Sequence, residues 1–222
     1  MTIDDKNIRI FGDTSKSLPA VYLHTVQGEG DTIWQQCLKI GTREFILIEI
    51  DGGNWNDNMS PWALDKLFPE DEPCGGKAAE WLNTLTKDII PQVESLLHTT
   101  KHIIAGYSLA GLFAMWSVYN TDFFDGIISC SGSFWYPQFL KYMYEHDFQK
   151  TPEIIYLSLG DKEHLSKIKL LTTVEDNTRQ LYDYLQHASI HSIFELNNGN
   201  HFQQCAWRIA KGIQWSLRQI NK

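Results

Sequence analysis

Short runs of apolar, mostly β-branched residues recur along this chain of 222 residues, and helical patterns separate most of them. That alternation constrains the fold more than any other feature. The runs lie at 8–11, 20–26, 45–51, 102–106, 126–130, 153–159 and 190–196. Helical patterns occupy about 76–98, 109–119, 137–145, 168–188 and 203–220. In the stretch 168–188, Leu171, Val174, Leu181 and Leu185 fall on one helical stripe. Parallel strands need long crossovers, usually helices. The pattern therefore predicts an α/β fold of three layers, a mostly parallel central sheet with helices on both faces. One domain over 1–222, with no lid domain, is the expectation at this length. The longest irregular stretch is the loop 52–75.

Composition narrows the function classes. Hydrophobic residues are 43% and charged residues 21%, as in ordinary globular chains. A net charge of −8, with basic residues scattered, argues against nucleic acid as a partner. No apolar run reaches the length of a membrane span, and the polar, acidic start is not a signal peptide. Cys37, Cys74, Cys130 and Cys205 lie far apart, so neither a zinc site nor a redox pair is suggested. A reducing cytoplasmic setting fits these thiols. No metal or cofactor is expected, and self-association into a homo-oligomer is left open.

The segment Lys101-His-Ile-Ile-Ala-Gly-Tyr-Ser-Leu-Ala-Gly-Leu-Phe-Ala carries the most chemistry. A strand runs into Gly106, then Tyr107-Ser108-Leu109, then Ala110 and Gly111, then a helix. A serine nucleophile sits on such a sharp strand-to-helix turn. Positions two before and two after it must be small, because strand and helix nearly touch. Ser108 is the candidate nucleophile, and the Leu109 amide is one candidate oxyanion donor.

A serine hydroxyl needs a base, and the base an orienting acid. In folds with this elbow the chain order is Ser, acid, His. After the strand 153–159 comes Gly160-Asp161-Lys162-Glu163-His164. Glu163 is the preferred acid, since a turn led by Gly160 brings the third position back over the strand ends; Asp161 is the alternative. After the last strand, Asn197-Asn-Gly-Asn-His-Phe places His201 in a polar loop opening the final helix, which makes it the candidate base. His164 is a possible neighbour of the site, whereas His98, His187 and His191 read as structural or surface residues. The second oxyanion donor falls to amides near Thr25 and Val26, with the Gly52-Gly53-Asn54 loop as competitor.

Taken together, Leu-Pro-Ala-Val-Tyr-Leu-His, Gly-Tyr-Ser-Leu-Ala-Gly-Leu-Phe-Ala, Ser131-Gly-Ser-Phe-Trp, Leu-Gly-Asp-Lys-Glu and Gly-Asn-His-Phe resemble the esterase branch of the α/β-hydrolases, which includes esterase D-like and ferric enterobactin esterase-like enzymes. The resemblance runs from about residue 18 to the C-terminus. It implies the α/β-hydrolase fold and a cofactor-free serine esterase acting on a small-molecule ester. Ala110 stands where the family has glycine, and His24-Thr25-Val26 where many relatives have His-Gly.

Tyr107, Trp55, Phe134 and Trp135 are the expected substrate-binding residues, with Trp62 equally readable as core. They fall at the expected C-terminal edge of the sheet, where ligands bind in such folds. The alternatives are an acyltransferase, thioesterase or peptidase on the same triad, or a non-catalytic binding module. The sequence leaves the ester itself open: siderophore, sugar or simple acyl.

Overall fold

The computed structural model describes residues 1–3, 6–67, 70 and 72–220. Its strands are β1 (Thr2–Ile3), β2 (Lys6–Phe11), β3 (Ser17–Thr25), β4 (Ile46–Asp51), β5 (Ala63–Leu64), β6 (Cys74–Gly75), β7 (His98–Tyr107), β8 (Gly126–Cys130), β9 (Ile154–Gly160) and β10 (Ser192–Asn197). The helices are α1 (Gly30–Lys39), α2 (Trp55–Asn58), α3 (Ala78–Thr84), α4 (Ile90–Glu94), α5 (Leu109–Ser117), α6 (Phe139–Glu145), α7 (Val174–His187) and α8 (Cys205–Gln219).

Eight strands form one sheet in the order β1-β2-β4-β3-β7-β8-β9-β10, while β5 and β6 pair separately. From β4 to β10 every neighbour runs parallel, and only β1 and β2 are antiparallel additions at one edge. Alternate residues of each strand serve opposite faces. Tyr22, Ile48, Ile104, Ile127 and Leu157 join the core beneath α3 to α7. Val21, Leu23, Leu47, Ile103 and Ile128 join Ile33 and Cys37 of α1 and Ile209, Ile213 and Leu217 of α8. The three layers follow from this division. Every residue of α5 is buried, as befits a helix that is apolar all round.

Several boundaries differ from the sequence reading. The pattern at 76–98 is not one helix: a π-helical turn, Leu85–Ile89, separates α3 from α4. Pro91, the second residue of α4, lies just beyond it, and its missing N–H removes a rung of the α ladder there. Helix α1 falls where the sequence reading placed no helix. Only Ile33 and Cys37 present a buried apolar side chain there, and Glu29 makes no side-chain cap. The loop 52–75 contains α2 and the β5–β6 ladder, and its positions 68, 69 and 71 lie outside the described residues. Of the expected stripe on α7, Val174, Leu181 and Leu185 are buried, while Leu171 lies before the helix and is half-buried.

Candidate active site

The elbow forms as its residue sizes require. β7 ends at Tyr107, α5 begins at Leu109, and Ser108 between them has φ 59° and ψ −123°. A non-glycine residue at positive φ costs about 1–3 kcal/mol and persists only where its surroundings enforce it. Here they do. Ser108 N–H donates to Cys130 O at 3.1 Å, and Ser108 O accepts from Leu112 at 3.1 Å and Ser133 at 3.1 Å. A Cβ on Gly106 would lie 2.3 Å from the Ala110 carbonyl, so strand and helix do meet at this point.

His201 joins the elbow to the acidic turn. Its Nε2 lies 3.0 Å from Ser108 Oγ, and its Nδ1 lies 2.8 Å from Glu163 Oε2. Glu163 folds back because its N–H donates to Gly160 O at 3.1 Å while its Oε1 accepts from Gly160 N at 2.7 Å. The side chain is 3% exposed. Burial alone would raise its pKa, but hydrogen bonds from His201, Ser131 and Gly160 outweigh that and hold it below the usual range. Asp161 is not at the ring. Its Oδ1 accepts from Gly199 N at 2.8 Å and so ties down the loop that carries His201.

Three contacts at this site were not read from the sequence. Ser133, 1% exposed, sets its hydroxyl 3.4 Å from Ser108 Oγ. Ser131 Oγ donates to Glu163 Oε1 at 2.7 Å. Arg208 of α8 is wholly buried and donates to Glu163 Oε1 at 2.9 Å. The motif Ser131-Gly-Ser carried a signal for the first two. Nothing local marked Arg208, one polar position in a helix of mixed character.

The expected oxyanion residues divide. Leu109 is the first residue of α5, so its N–H has no acceptor within the helix. Thr25 ends β3 with its hydroxyl on Glu49 Oε1 at 2.9 Å. Val26 N–H and Gln27 N–H both donate to Glu29 Oε2 at 3.1 Å, a pair of successive amides already gripping a carboxylate. In the competing loop, Gly52 N–H donates to Thr25 O at 3.1 Å and Gly53 N–H to Asp51 at 2.9 Å. The preceding His24 is buried and pushed down to about 3 by desolvation, so it is neutral; it accepts from Trp81 Nε1 at 3.1 Å.

The expected aromatic wall needs correction. Phe134 is 1% exposed and stacks on Phe139 at 5.4 Å, because the turn after β8 folds it inward. Trp135 is half-buried beside Tyr136. Trp55 packs over Gly52, where a Cβ would come within 2.8 Å of its ring. Trp62 belongs to the core: its indole donates to Pro137 O at 2.9 Å, and its ring meets Tyr136 and Tyr142. Tyr107 keeps its ring beside His201, at 5.4 Å, but its hydroxyl donates to His201 O at 2.7 Å. His164 lies 3.0 Å from Glu175. The aromatic that does sit exposed at the site is Phe202, 86% exposed and edge-on to His201.

Comparison with known proteins gives the family and the fold. The family model described as "Putative esterase" matches residues 10–210. A Bacillus subtilis relative, uncharacterized protein YbbA, is 24% identical over 79% of this chain and 74% of its own. Among solved structures, an IroE-like serine hydrolase from Shewanella oneidensis superposes with a TM-score of 0.78 at 17% identity, over 96% of this chain and 76% of its own. Siderophore hydrolase EstA from Aspergillus nidulans gives 0.75 at 19% identity, over 96% and 90%. The sheet order, the helices on both faces and these superpositions define the α/β-hydrolase fold. With four-fifths or more of its length inside the family model, the chain belongs to the "Putative esterase" family and is a carboxylic ester hydrolase.

Proposed function

We propose that Ser108, His201 and Glu163 form the catalytic triad of this hydrolase and that it works through an acyl-enzyme on Ser108. The observation that carries this reading is the His201 ring, within hydrogen-bond reach of Ser108 Oγ at 3.0 Å and of Glu163 at 2.8 Å. With its Nδ1 proton donated to ionised Glu163, the imidazole turns a lone pair on Nε2 toward the hydroxyl. As Ser108 Oγ attacks the ester carbonyl, its proton passes to Nε2 and then to the leaving alkoxide. Water, deprotonated by the same nitrogen, then attacks the acyl-enzyme; as the acyl–Oγ bond breaks and the acid leaves, the imidazolium returns its proton to Ser108 Oγ. The carbonyl oxygen turns anionic at each attack. The Leu109 N–H at the start of α5 is aimed to receive it, and the helix terminus adds its positive end. Val26 N–H is the second donor; it exchanges the Glu29 carboxylate for the oxyanion.

The substrate is a small-molecule ester. The solved neighbours include siderophore hydrolases, which supports testing an ester-linked siderophore beside simple acyl esters. Among the described residues no helix is long and apolar enough to cross a membrane. Hydrolysis of p-nitrophenyl acetate tests the triad: Ser108→Ala and His201→Ala each lower kcat by roughly 10⁴-fold or more. Retention of kcat by a folded Ser108→Ala protein rules the reading out.

A further inference from the structure

We propose that Arg208 is a positioning residue that holds the acid and the histidine-bearing loop in register with the elbow, an inference that rests on the triad reading above. One guanidinium reaches the ends of four parallel strands. Its Nη1 donates to Tyr107 Oη at the end of β7, at 3.1 Å, to Ser131 Oγ after β8, at 3.1 Å, and to Glu163 Oε1 after β9, at 2.9 Å. Its Nη2 donates to the carbonyls of Asn198 at 3.2 Å and Asn200 at 3.1 Å, on the loop after β10. Three of those strand ends, β7, β9 and β10, adjoin one part of the triad each, and the β8 end carries Ser131, whose hydroxyl donates to Glu163. Tyr107 closes the circuit by donating from the same hydroxyl to His201 O at 2.7 Å.

Two further observations indicate a built arrangement. Arg208 is 0% exposed, and a buried cation persists only where it is paired and hydrogen-bonded. Gly160 leaves the space: a Cβ there would lie 2.8 Å from Nη2 of Arg208, 2.9 Å from Glu163 Oε1 and 2.4 Å from Gly199 O. A planar fork is needed to span these acceptors. A lysine ammonium is a compact point charge that can pair with Glu163 but cannot hold the two loop carbonyls as well.

The titratable groups facing Arg208 are Glu163 from the β9 turn, with His201 behind it, Tyr107 from β7, Cys130 from β8 and Cys205 from α8. Burial pushes Tyr107 up and Cys130 up to about 12, so both are neutral through the working range. The charge of Arg208 therefore acts on the Glu163–His201 pair. Removal of that charge, 2.9 Å from the Glu163 carboxylate, is expected to move the acidic limb of the pH–rate profile to higher pH.

The test compares wild type, Arg208→Gln, Arg208→Lys and Ser108→Ala in ester hydrolysis across pH. Folding is checked by circular dichroism. Arg208→Gln is expected to lower kcat roughly 100-fold, leave KM within about threefold, and shift the acidic midpoint upward. Arg208→Lys is expected to keep that midpoint, because the charge remains, yet lose at least roughly tenfold in kcat, because the fork is gone. Folded Arg208→Gln with wild-type kcat and midpoint overturns the proposal. Should Arg208→Gln not fold, Arg208→Lys decides: wild-type kcat there overturns it, and reduced kcat with unchanged KM and midpoint supports it. Retained activity in Ser108→Ala would instead overturn the triad reading, a distinct result.

Discussion

The Asp161 carboxylate accepts a hydrogen bond from Gly199 N at 2.8 Å, while Glu163, in the same turn, reaches the imidazole of His201 at 2.8 Å. The two acids thus have separable tasks. In the proposed triad Glu163→Gln removes the negative charge that would fix the tautomer and stabilise the imidazolium, and it is expected to lower kcat by about 10³–10⁴-fold. Asp161→Asn keeps an acceptor for Gly199 N and is expected to cost roughly tenfold or less, as a loop-positioning change does. Steady-state ester hydrolysis by the two variants checks this, and equal losses would contradict the assignment.

Gly106 is predicted to tolerate no side chain. The close approach of Ala110 C and O, 2.3 Å from a Cβ at Gly106, involves main-chain atoms of a helix that is buried on every side. Gly106→Ala is therefore expected to destabilise the fold by about 3 kcal/mol. Thermal melts of the variant would show a fall in Tm of several degrees. An unchanged Tm would mean that strand and helix are not held as described.

Much of this was legible in the sequence because the signals are local. Each apolar run at 20–26, 45–51, 102–106, 126–130, 153–159 and 190–196 became a strand of the main sheet within a few residues. The elbow needed only residue size and spacing, whereas the expected order Ser, acid, His came from the chain order of folds with this elbow. What was not legible depends on distant surfaces. Helix α1 is short and mostly polar, and buries only Ile33 and Cys37 as apolar side chains, so it went unread. The choice between Asp161 and Glu163 turns on how Gly160 folds the turn back, through the 2.7 Å bond from its N–H to Glu163. Arg208 reads as a surface position until α8 docks and the β10 loop closes over it. Phe134 sits in a loop by sequence but stacks under Phe139, since nothing in its neighbourhood records that inward turn.

At the opposite end of the sheet, His102 makes stability depend on alkaline pH. Burial would lower its pKa, but donation to the Asp125 and Glu94 carboxylates and their negative charge raise it to about 9. Both carboxylates lie 3.6 Å from the ring, and Lys150 pairs with Asp125 at 2.6 Å. Tyr22 and Thr99 also donate to Glu94. The folded value lies above the ordinary 6.5. The stabilisation is therefore complete below that pH and is lost as pH rises through about 9. Tm is expected to fall between neutral pH and pH ~9.5, and His102→Gln is expected to flatten that fall. A parallel decline in His102→Gln would assign the effect to other groups.

The central claim is that Ser108 is made nucleophilic by His201, and covalent capture tests it most directly. A fluorophosphonate reports an activated serine hydroxyl. The account predicts one adduct, mapped by peptide mass spectrometry to Ser108, formed in wild type and lost in folded His201→Ala. An adduct on another residue, or Ser108 labelling that persists undiminished in His201→Ala, would contradict it.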